Sequence, residues 1–271
     1  MGGARVKVAI LGASGRMGQA LLGALRQSTD LELGGALVSP DNGRIGQDAG
    51  AGLGWCSGVK YSAGLAEVLT LAEVAIDVTL PAASADIIAA CRSSGCPLVI
   101  GTSGLGAEQR GAIADAANSI AVLPAANFSI AMTLMMGMAR EAAARLGPAW
   151  QVDILETHHQ HKLDRPSGTA LALAEIIAGE RGKTLAETLE CIETGGGRKE
   201  PGSIAIQSVR SGEVAGEHTV TFGEGSETLE LVHRAGSRAA FARGALLAAA
   251  WLAPQDPGLY RMEQVLADKH R

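Results

Sequence analysis

The segment Glu156–Ala170, with the sequence ETHHQHKLDRPSGTA, holds the densest group of side chains able to do chemistry. Five consecutive positions of this segment carry three histidines and a lysine, namely His158, His159, His161 and Lys162. Histidine titrates near neutral pH, and lysine can donate a proton or bind a carboxylate. The Ser-Gly-Thr turn that follows precedes a helical pattern, so one side chain can cap the helix and leave backbone N–H groups for an anion. The segment therefore predicts binding and protonation of a small carboxylated substrate.

Reduction of a C=C or C=N bond next to a carboxyl group is a reaction that such a site would serve. The bond needs a hydride on one atom and a proton on its neighbour, and a side chain of this segment would supply the proton.

Two other interpretations of the segment stay open. One is a metal site, although no cysteine or carboxylate completes the spacing, so no metal is predicted. The other is a solvated charged turn followed by an ordinary helix cap.

A glycine-rich turn near the start of the chain predicts a dinucleotide site. Gly12, Gly15 and Gly18 follow the strand-like run Val6–Leu11 and precede the helical pattern Gln19–Arg26. The first glycine permits a tight turn, the second lets the backbone approach a pyrophosphate, and the third lets the helix pack closely on the sheet. The helix N-terminus adds oriented N–H groups for the phosphates. Strand, glycine turn and helix in this order favour a dinucleotide over an ordinary turn.

The end of the second predicted strand bears on the choice between NADH and NADPH. An acidic residue there would bind the adenosine ribose 2′-hydroxyl and repel a 2′-phosphate. The strand ends in Val38 and Ser39, which provide neither a carboxylate nor an arginine. Asp41 and Arg44 follow closely, and Arg16 lies in the glycine turn. We expect NADH and/or NADPH as the cofactor, with use of both or a preference for NADPH.

Strands and helices alternate in the first half of the chain. Strands are predicted at Val6–Leu11, Leu31–Val38, Val74–Thr79, Leu98–Gly101 and Ile120–Pro124. Helices are predicted at Gln19–Arg26, Ala83–Ser93, Glu108–Ala117 and Ile130–Leu146. This α/β alternation is typical of a Rossmann-like, doubly wound parallel sheet, which we assign to a dinucleotide-binding domain of residues 1–127.

The pattern changes after Pro148 and predicts a second, α+β domain. Strands are predicted at Gln151–Thr157, Ser203–Arg210, His218–Phe222 and Thr228–Val232, with a helix at Gly168–Arg181 and a glycine-rich loop at Gly195–Gly202. Neighbouring strands joined by short turns favour a mainly antiparallel or mixed sheet. We assign residues 128–237 to substrate binding and oligomerisation. Residues 238–271, with a helix at Ala239–Leu252, are expected to return to the first domain.

The composition excludes several classes of partner. A net charge of −5 and a pI near 5.7 give no basic surface of the kind that binds nucleic acids, so any anion site must be local. The apolar run Ile120–Ala139 is as long as a membrane span. A proline and two polar residues interrupt it, which favours a buried strand, a turn and a helix. We expect a small-molecule substrate and neither a nucleic acid nor a membrane as partner.

Cysteine usage predicts a reducing compartment. Four cysteines follow no C-x-x-C or paired metal-binding spacing: Cys56, Cys91, Cys96 and Cys191. No secretory signal precedes the strand-like run that begins at Val6. We therefore expect free thiols and a cytoplasmic location.

Four strings in the chain resemble the family of dihydrodipicolinate reductases, also called 4-hydroxy-tetrahydrodipicolinate reductases. They are VAILGASGRMG from Val8, GTSG from Gly101, AANFS from Ala125 and ETHHQHKLDRPSGTA from Glu156. The resemblance runs nearly end to end, with further matches at residues 212–219 and 233–238. It implies NAD(P)H-dependent reduction of 4-hydroxy-tetrahydrodipicolinate to tetrahydrodipicolinate in diaminopimelate and lysine biosynthesis. It also implies a homotetramer assembled through the sheet of the second domain.

The resemblance implies roles for residues at matching positions. His158 would donate or accept a proton, and Lys162 would donate one. The substrate carboxylates would be bound by His159, Ser167, Gly168, Thr169 and Arg238. The cofactor would be bound by Gly12, Ala13, Ser14, Gly15, Arg16, Met17, Gly101, Thr102, Ser103, Ala125, Ala126, Asn127 and Phe128.

Two departures from the family pattern concern the cofactor. Many members carry an acidic residue and an arginine where this chain has Val38 and Ser39, and an arginine where it has Leu80.

Two other functions also stay open, namely an amino- or keto-acid dehydrogenase of the aspartate dehydrogenase type and a non-catalytic dinucleotide sensor. The segment from His158 to Ala170 distinguishes the reductase from both, because neither alternative accounts for it.

Overall fold

The computed structural model of the protein describes residues 5–190 and 202–268. Within them the strands are β1 (Val6–Leu11), β2 (Leu31–Leu37), β3 (Tyr61–Ser62), β4 (Val74–Asp77), β5 (Leu98–Ile100), β6 (Ala121–Pro124), β7 (Gln151–His158), β8 (Leu189–Glu190), β9 (Ile204–Arg210), β10 (Gly216–Glu224), β11 (Glu227–Ala235) and β12 (Gly258–Leu259). The helices are α1 (Arg16–Leu25), α2 (Leu65–Leu69), α3 (Pro81–Ser94), α4 (Ala107–Ala116), α5 (Ile130–Leu146), α6 (Gly168–Glu180), α7 (Leu185–Thr188), α8 (Ala239–Leu252) and α9 (Met262–Asp268), with a 3-10 turn at Ala51–Leu53. Cys191 and the predicted glycine-rich loop, apart from Gly202, lie outside the described residues.

Two compact units divide the chain. One comprises Met1–Ile130 together with Arg238–Arg271, and the other comprises Ala131–Ser237. The division into domains 1–127, 128–237 and 238–271 that the sequence suggested stays a prediction.

The sheet of the first unit is parallel throughout its described strands, in the order β12-β6-β5-β4-β1-β2-β3. Successive residues of β1 point to opposite faces. Val8 and Ile10 belong to a core that includes residues of α1 and α8, whereas Ala9 and Leu11 belong to a core that includes residues of α3 and α4. Helices on both faces explain why β1 and β4 are almost continuously apolar. The predicted Rossmann-like sheet is confirmed.

Helix α8 packs unusually closely on the first unit's core. A Cβ atom at Gly244 would lie 1.7 Å from the carbonyl oxygen of Phe128, so only glycine permits this approach. Around it the helix presents small buried side chains, including Ala245, Ala248 and Ala249. The contact holds the segment after β6 against the sheet. This segment is one of those predicted to bind the cofactor.

The sheet of the second unit is mixed. Its described strands follow the order β11-β10-β7-β9-β8, with β10 antiparallel to both neighbours and β9 parallel to β7 and β8. Residues of α5 and α6 pack with the inward-facing residues of this sheet in one core. The predicted α+β domain with a mixed sheet is confirmed.

No helix among residues 5–190 and 202–268 combines the length and apolar character needed to span a membrane. The apolar run Ile120–Ala139 consists of β6, a turn and the start of α5, as expected.

Candidate active site

The glycine turn of the first unit lies between β1 and α1. Gly12 has a φ of +88°, and a Cβ atom at Gly18 would lie 2.3 Å from the carbonyl oxygen of Gly12. Side chains at these two positions are therefore excluded by strain and by collision. Gly15 precedes α1 without a side-chain cap, and the first turn of α1 contains no acidic residue. Uncapped N–H groups at a helix N-terminus suit a pyrophosphate, so this turn fits a dinucleotide.

The remaining residues predicted to bind the cofactor follow the carboxyl ends of neighbouring strands. Gly101 follows β5 and donates its N–H to the carbonyl of Asp77, while Ala125 follows β6 and donates to Ile100. The ring of Phe128 packs against Gly101. Because β1, β4, β5 and β6 are adjacent and parallel, the structure brings these segments to one edge of the sheet: Gly12, Ala13, Ser14, Gly15, Arg16, Met17, Gly101, Thr102, Ser103, Ala125, Ala126, Asn127 and Phe128. In such sheets ligands bind at this edge where the strand order reverses, here between β1 and β4.

Asp77 is a buried carboxylate at this edge that was given no role from the sequence. It ends β4, and burial raises the pKa of its side chain. Its Oδ1 accepts hydrogen bonds from the N–H and the hydroxyl of Thr79, at 2.9 and 2.6 Å. Leu80, next in the chain, is 74% exposed at the position where many family members were expected to carry arginine. The end of β4 adjoins the glycine turn because β4 lies next to β1, and the carbonyl of Val78 lies against Gly12. This proximity depends on the strand order and could not be read from the sequence.

The loop after β2 approaches the glycine turn from the other side. Val38 is buried, whereas Ser39 and Asp41 are exposed. Asn42 Nδ2 donates a hydrogen bond of 3.0 Å to Ser14 Oγ. The backbone N–H of Arg44 donates to Asn42 Oδ1. The end of β2 therefore offers polar groups to a ligand at the glycine turn, without a carboxylate at the strand terminus itself.

A row of polar residues crosses the inner face of the second unit's sheet. Ser208 on β9 pairs with Glu156 on β7, Glu156 pairs with His218 on β10, and His218 pairs with His233 on β11. The neighbouring row on the same face is apolar and contains Ile206, Ile154, Val220 and Leu231. The inner face thus changes from core to polar site within two residues along each strand.

His158 ends β7 on the same face as Glu156, two residues away. Its Nδ1 is hydrogen-bonded to Glu156 Oε2, and its side chain is 10% exposed. The ring of His218 lies edge-on to it, with centroids 5.2 Å apart. His158 is therefore held by a carboxylate while its ring still reaches the surface.

The charges of this cluster are set by burial and by Arg210. Burial would raise the pKa of Glu156, but hydrogen bonds from His158, Arg210 and Ser208 lower it to about 2. Burial, together with the neighbouring His158, lowers the pKa of His218 to about 3. Burial also lowers the pKa of His233. At neutral pH Glu156 is thus an anion, and the two histidines on β10 and β11 are uncharged.

Lys162 lies in the loop between β7 and α6. Its Nζ is 2.8 Å from Asp164 Oδ1, and its side chain is 23% exposed. Burial opposes ionisation of Asp164, but the hydrogen bond and charge of Lys162 outweigh it and lower the pKa of Asp164. His159 is buried, and its ring centroid lies 6.3 Å from that of His161.

The N-terminus of α6 adjoins the same cluster. Ser167 caps the helix, because its Oγ accepts a hydrogen bond from the N–H of Ala170. Ser167 Oγ also lies 3.4 Å from His218 Nε2, and the Ser167 N–H donates to Glu156 Oε1 at 3.3 Å. The first turn, which begins with Gly168 and Thr169, contains no acidic residue. A helix N-terminus beside histidines and a lysine suits a carboxylate ligand.

The structure brings most of the predicted substrate-site residues together within the second unit: His158, His159, Lys162, Ser167, Gly168 and Thr169. Arg238 belongs to the other unit, so its contact with substrate stays a prediction. Across residues 5–190 and 202–268, no group of three or more His, Cys, Asp or Glu side chains is arranged to hold a metal ion.

The supporting roles of Glu156, Arg210 and His218 were not predicted from the sequence. The available signal was alternation along β7 and β9, which places Glu156 and Arg210 at inward positions where charged residues require partners.

Comparison with known proteins identifies the family. Residues 6–128 match the family model described as dihydrodipicolinate reductase, N-terminus, and residues 131–266 match the model described as dihydrodipicolinate reductase, C-terminus. The chain belongs to the dihydrodipicolinate reductase family. The family predicted from the motifs and the oxidoreductase class are confirmed.

Similar proteins align with nearly the full length of this member of the dihydrodipicolinate reductase family. A 4-hydroxy-tetrahydrodipicolinate reductase of Thiobacillus denitrificans is 42% identical over 265 residues, which are 97% of this chain and 99% of the relative. One from Halorhodospira halophila is 38% identical over 261 residues, 96% of this chain and 98% of the relative. A solved structure, dipicolinate-bound dihydrodipicolinate reductase from Paenisporosarcina sp. TG-14, aligns with a TM-score of 0.73 and 26% identity, covering 95% of this chain and 98% of that one.

Acid should destabilise the protein through His218. Because the pKa of this histidine is about 3 in the folded chain and 6.5 ordinarily, the unfolded chain binds an extra proton between these values. The free energy of unfolding contributed by His218 is therefore present above pH 6.5 and falls as the pH drops towards 3. We expect the Tm of the wild type to fall between about pH 7 and pH 5, and His218→Asn to weaken this dependence.

Calorimetry at several pH values measures the effect, with His161→Asn, which changes an exposed histidine, as the control. Equal pH dependence of Tm in His218→Asn and the wild type would contradict the assignment.

Proposed function

We propose that the protein catalyses NADH- or NADPH-dependent reduction of 4-hydroxy-tetrahydrodipicolinate to tetrahydrodipicolinate, a step of diaminopimelate and lysine biosynthesis. The observation that carries the proposal is the cluster in which His158, held by the buried Glu156, lies in one unit with Lys162 and the N-terminus of α6. The curated relatives described above bear the name of this reaction. We place the reaction in the cytoplasm, which agrees with free thiols at Cys56, Cys91 and Cys96.

The two units supply different parts of the reaction. The bound nicotinamide cofactor supplies the hydride. The glycine turn Gly12–Met17 holds its pyrophosphate and ribose, while Gly101–Ser103 and Ala125–Phe128 line its nicotinamide side. The second unit supplies the proton, from the imidazole of His158 or the ammonium of Lys162.

The substrate carboxylates are bound at the N-terminus of α6. His159, Gly168 and Thr169 bind them, with Ser167 and Arg238 as further contacts. The positive end of the α6 dipole and the Lys162 cation both favour a dianion. The solved relative from Paenisporosarcina is bound to dipicolinate, which is a dicarboxylate like the proposed substrate.

Removal of either proton-transfer side chain should slow turnover. We expect His158→Ala and Lys162→Ala each to lower kcat roughly 10²-fold or more, the usual loss for a general acid, with the Kd for NADPH nearly unchanged. Oxidation of NAD(P)H is followed by absorbance with and without freshly prepared 4-hydroxy-tetrahydrodipicolinate. His161→Ala is the control, since this histidine lies in the same loop but is exposed. Turnover at the wild-type rate in both variants would refute the roles.

The cofactor preference follows from the end of β2. We propose that the protein uses both cofactors or prefers NADPH, because no carboxylate at Val38 or Ser39 repels a 2′-phosphate. Ser39→Asp places such a charge at an exposed position and should lower kcat/KM for NADPH roughly fivefold to tenfold, with little change for NADH. Ser39→Asn is the neutral control. A strong, exclusive preference of the wild type for NADH would count against this proposal.

We further propose a homotetramer assembled through the outer face of the second unit's sheet. One row of this face contains Leu155, Thr219 and Val232 on adjacent strands, and Leu155 and Val232 are 41% and 45% exposed. Val209 on β9 is also exposed. Burying these apolar side chains against a second copy would stabilise association.

Analytical ultracentrifugation tests the assembly. The wild type should sediment as a tetramer, and Leu155→Glu combined with Val232→Glu should sediment as smaller species, because association would bury two like charges. Leu71→Glu, which changes an exposed leucine of the first unit, is the control and should stay tetrameric. A monomeric wild type, or a tetrameric double variant, would exclude this interface.

A further inference from the structure

Arg210 makes hydrogen bonds with every N–H group of its guanidinium. It ends β9 opposite His158, and its side chain is only 3% exposed. One terminal nitrogen donates to Glu156 Oε2 and to the carbonyl of Val209, at 2.9 and 2.8 Å. The other donates to Glu156 Oε1 at 2.9 Å and to the carbonyl of Asp164. Nε donates to the carbonyl of Lys162 at 3.3 Å. A lysine has three donors on a single nitrogen and cannot reproduce this planar arrangement.

The bonds to Glu156 determine which nitrogen of His158 carries the proton. A carboxylate can only accept hydrogen bonds, and the two bonds from Arg210 keep Glu156 ionised. The hydrogen bond between Glu156 and His158 Nδ1 therefore requires a proton on Nδ1. In the neutral ring Nε2 is then the nitrogen with a free lone pair, available to exchange a proton with a substrate.

The bonds to the two carbonyls hold the loop that carries Lys162. They attach to the residues on either side of Leu163, which is 95% exposed and contributes no burial to the loop. The ammonium of Lys162 itself contacts Asp164, whose carbonyl is one of the two acceptors. Arg210 therefore supports the backbone from which the lysine side chain extends.

We propose that Arg210 is a positioning residue for both proton-transfer groups at once. Through Glu156 it holds the His158 ring in the tautomer protonated on Nδ1, and through the carbonyls of residues 162 and 164 it holds the Lys162 loop. Only the expected effect on turnover rests on the proposed reductase function. The tautomer and the loop position do not, because both exist without substrate.

Two test variants, a control variant and NMR spectra test the role. Arg210→Lys keeps the charge and loses the planar donor set, whereas Glu156→Gln keeps the size and places an amide that can donate as well as accept. The control is Arg181→Lys, because Arg181 donates to the carbonyls of Gly147 and Trp150 in the same unit, outside the proton-transfer cluster. The spectrum is ¹⁵N NMR of the six histidines, with the His158 resonances assigned from His158→Asn.

We expect the wild-type spectrum to show His158 protonated on Nδ1, and Glu156→Gln to show a larger share protonated on Nε2. Arg210→Lys, which loosens Glu156 and the Lys162 loop, and Glu156→Gln, which frees the tautomer, should each lower kcat at least roughly tenfold, with a smaller change in KM; a catalytic histidine held wholly in the wrong tautomer can lose about 10⁴-fold. Arg181→Lys should keep kcat within about twofold at a similar loss of Tm.

Each contrary result overturns a defined part of the proposal. Protonation of wild-type His158 on Nε2, whatever the turnover, excludes the tautomer assignment. Wild-type kcat in Arg210→Lys, or an equal loss of kcat in Arg181→Lys, reduces Arg210 to a purely structural role. If Arg210→Lys does not fold, Glu156→Gln and the wild-type spectrum decide. An Nδ1-protonated His158 in a protein without reductase activity would refute the proposed function and leave the tautomer assignment in place.

Discussion

The buried ion pair between Glu156 and Arg210 is the constraint on which the second unit's site depends. Charges removed from water are stable only when their hydrogen-bonding groups are satisfied, and loss of one partner of a buried pair costs about 3–5 kcal/mol. Glu156 is fully buried, so each of its contacts is constrained by this requirement. These contacts include His158, Arg210 and the N–H of Ser167, which belong to a strand end, a second strand and a helix cap. One carboxylate therefore aligns three elements around the substrate site.

The two-residue period of the sheet lets one face serve as both core and site. Isoleucine and valine of the inner face pack with α5 and α6, as Ile154 and Val220 illustrate. One period further along the same strands, the inward positions are Glu156 and His218. The register that buries the apolar row also brings the polar row together, because a shift of one residue would turn both rows to the opposite face. Stability of the core and geometry of the site are thus specified by the same strand pairing.

Long elements with strong periodicity were predictable from the sequence, and long-range partners were not. Helices α5 and α8 begin and end at the predicted residues, and β1 does so as well. Strands β3, β8 and β12 were not predicted, because each has two residues and two residues show no period. The segment Glu156–Ala170 could be singled out from the sequence because its residues are contiguous. Arg210 was missed because it lies 54 positions beyond Glu156 and meets it only through the pairing of β7 with β9.

The first unit is built from two separate stretches of chain, and this has a consequence for biosynthesis on the ribosome. Helix α8 supplies part of the core that β1, α1 and the segment ending at Phe128 share, yet the whole of the second unit is translated before it. Until α8 emerges, the face of the parallel sheet that contains Val8 and Ile10 lacks part of its cover and exposes apolar surface. The second unit, which is continuous in sequence, can complete its own core earlier. We therefore expect the second unit to complete its core while the first unit still lacks α8.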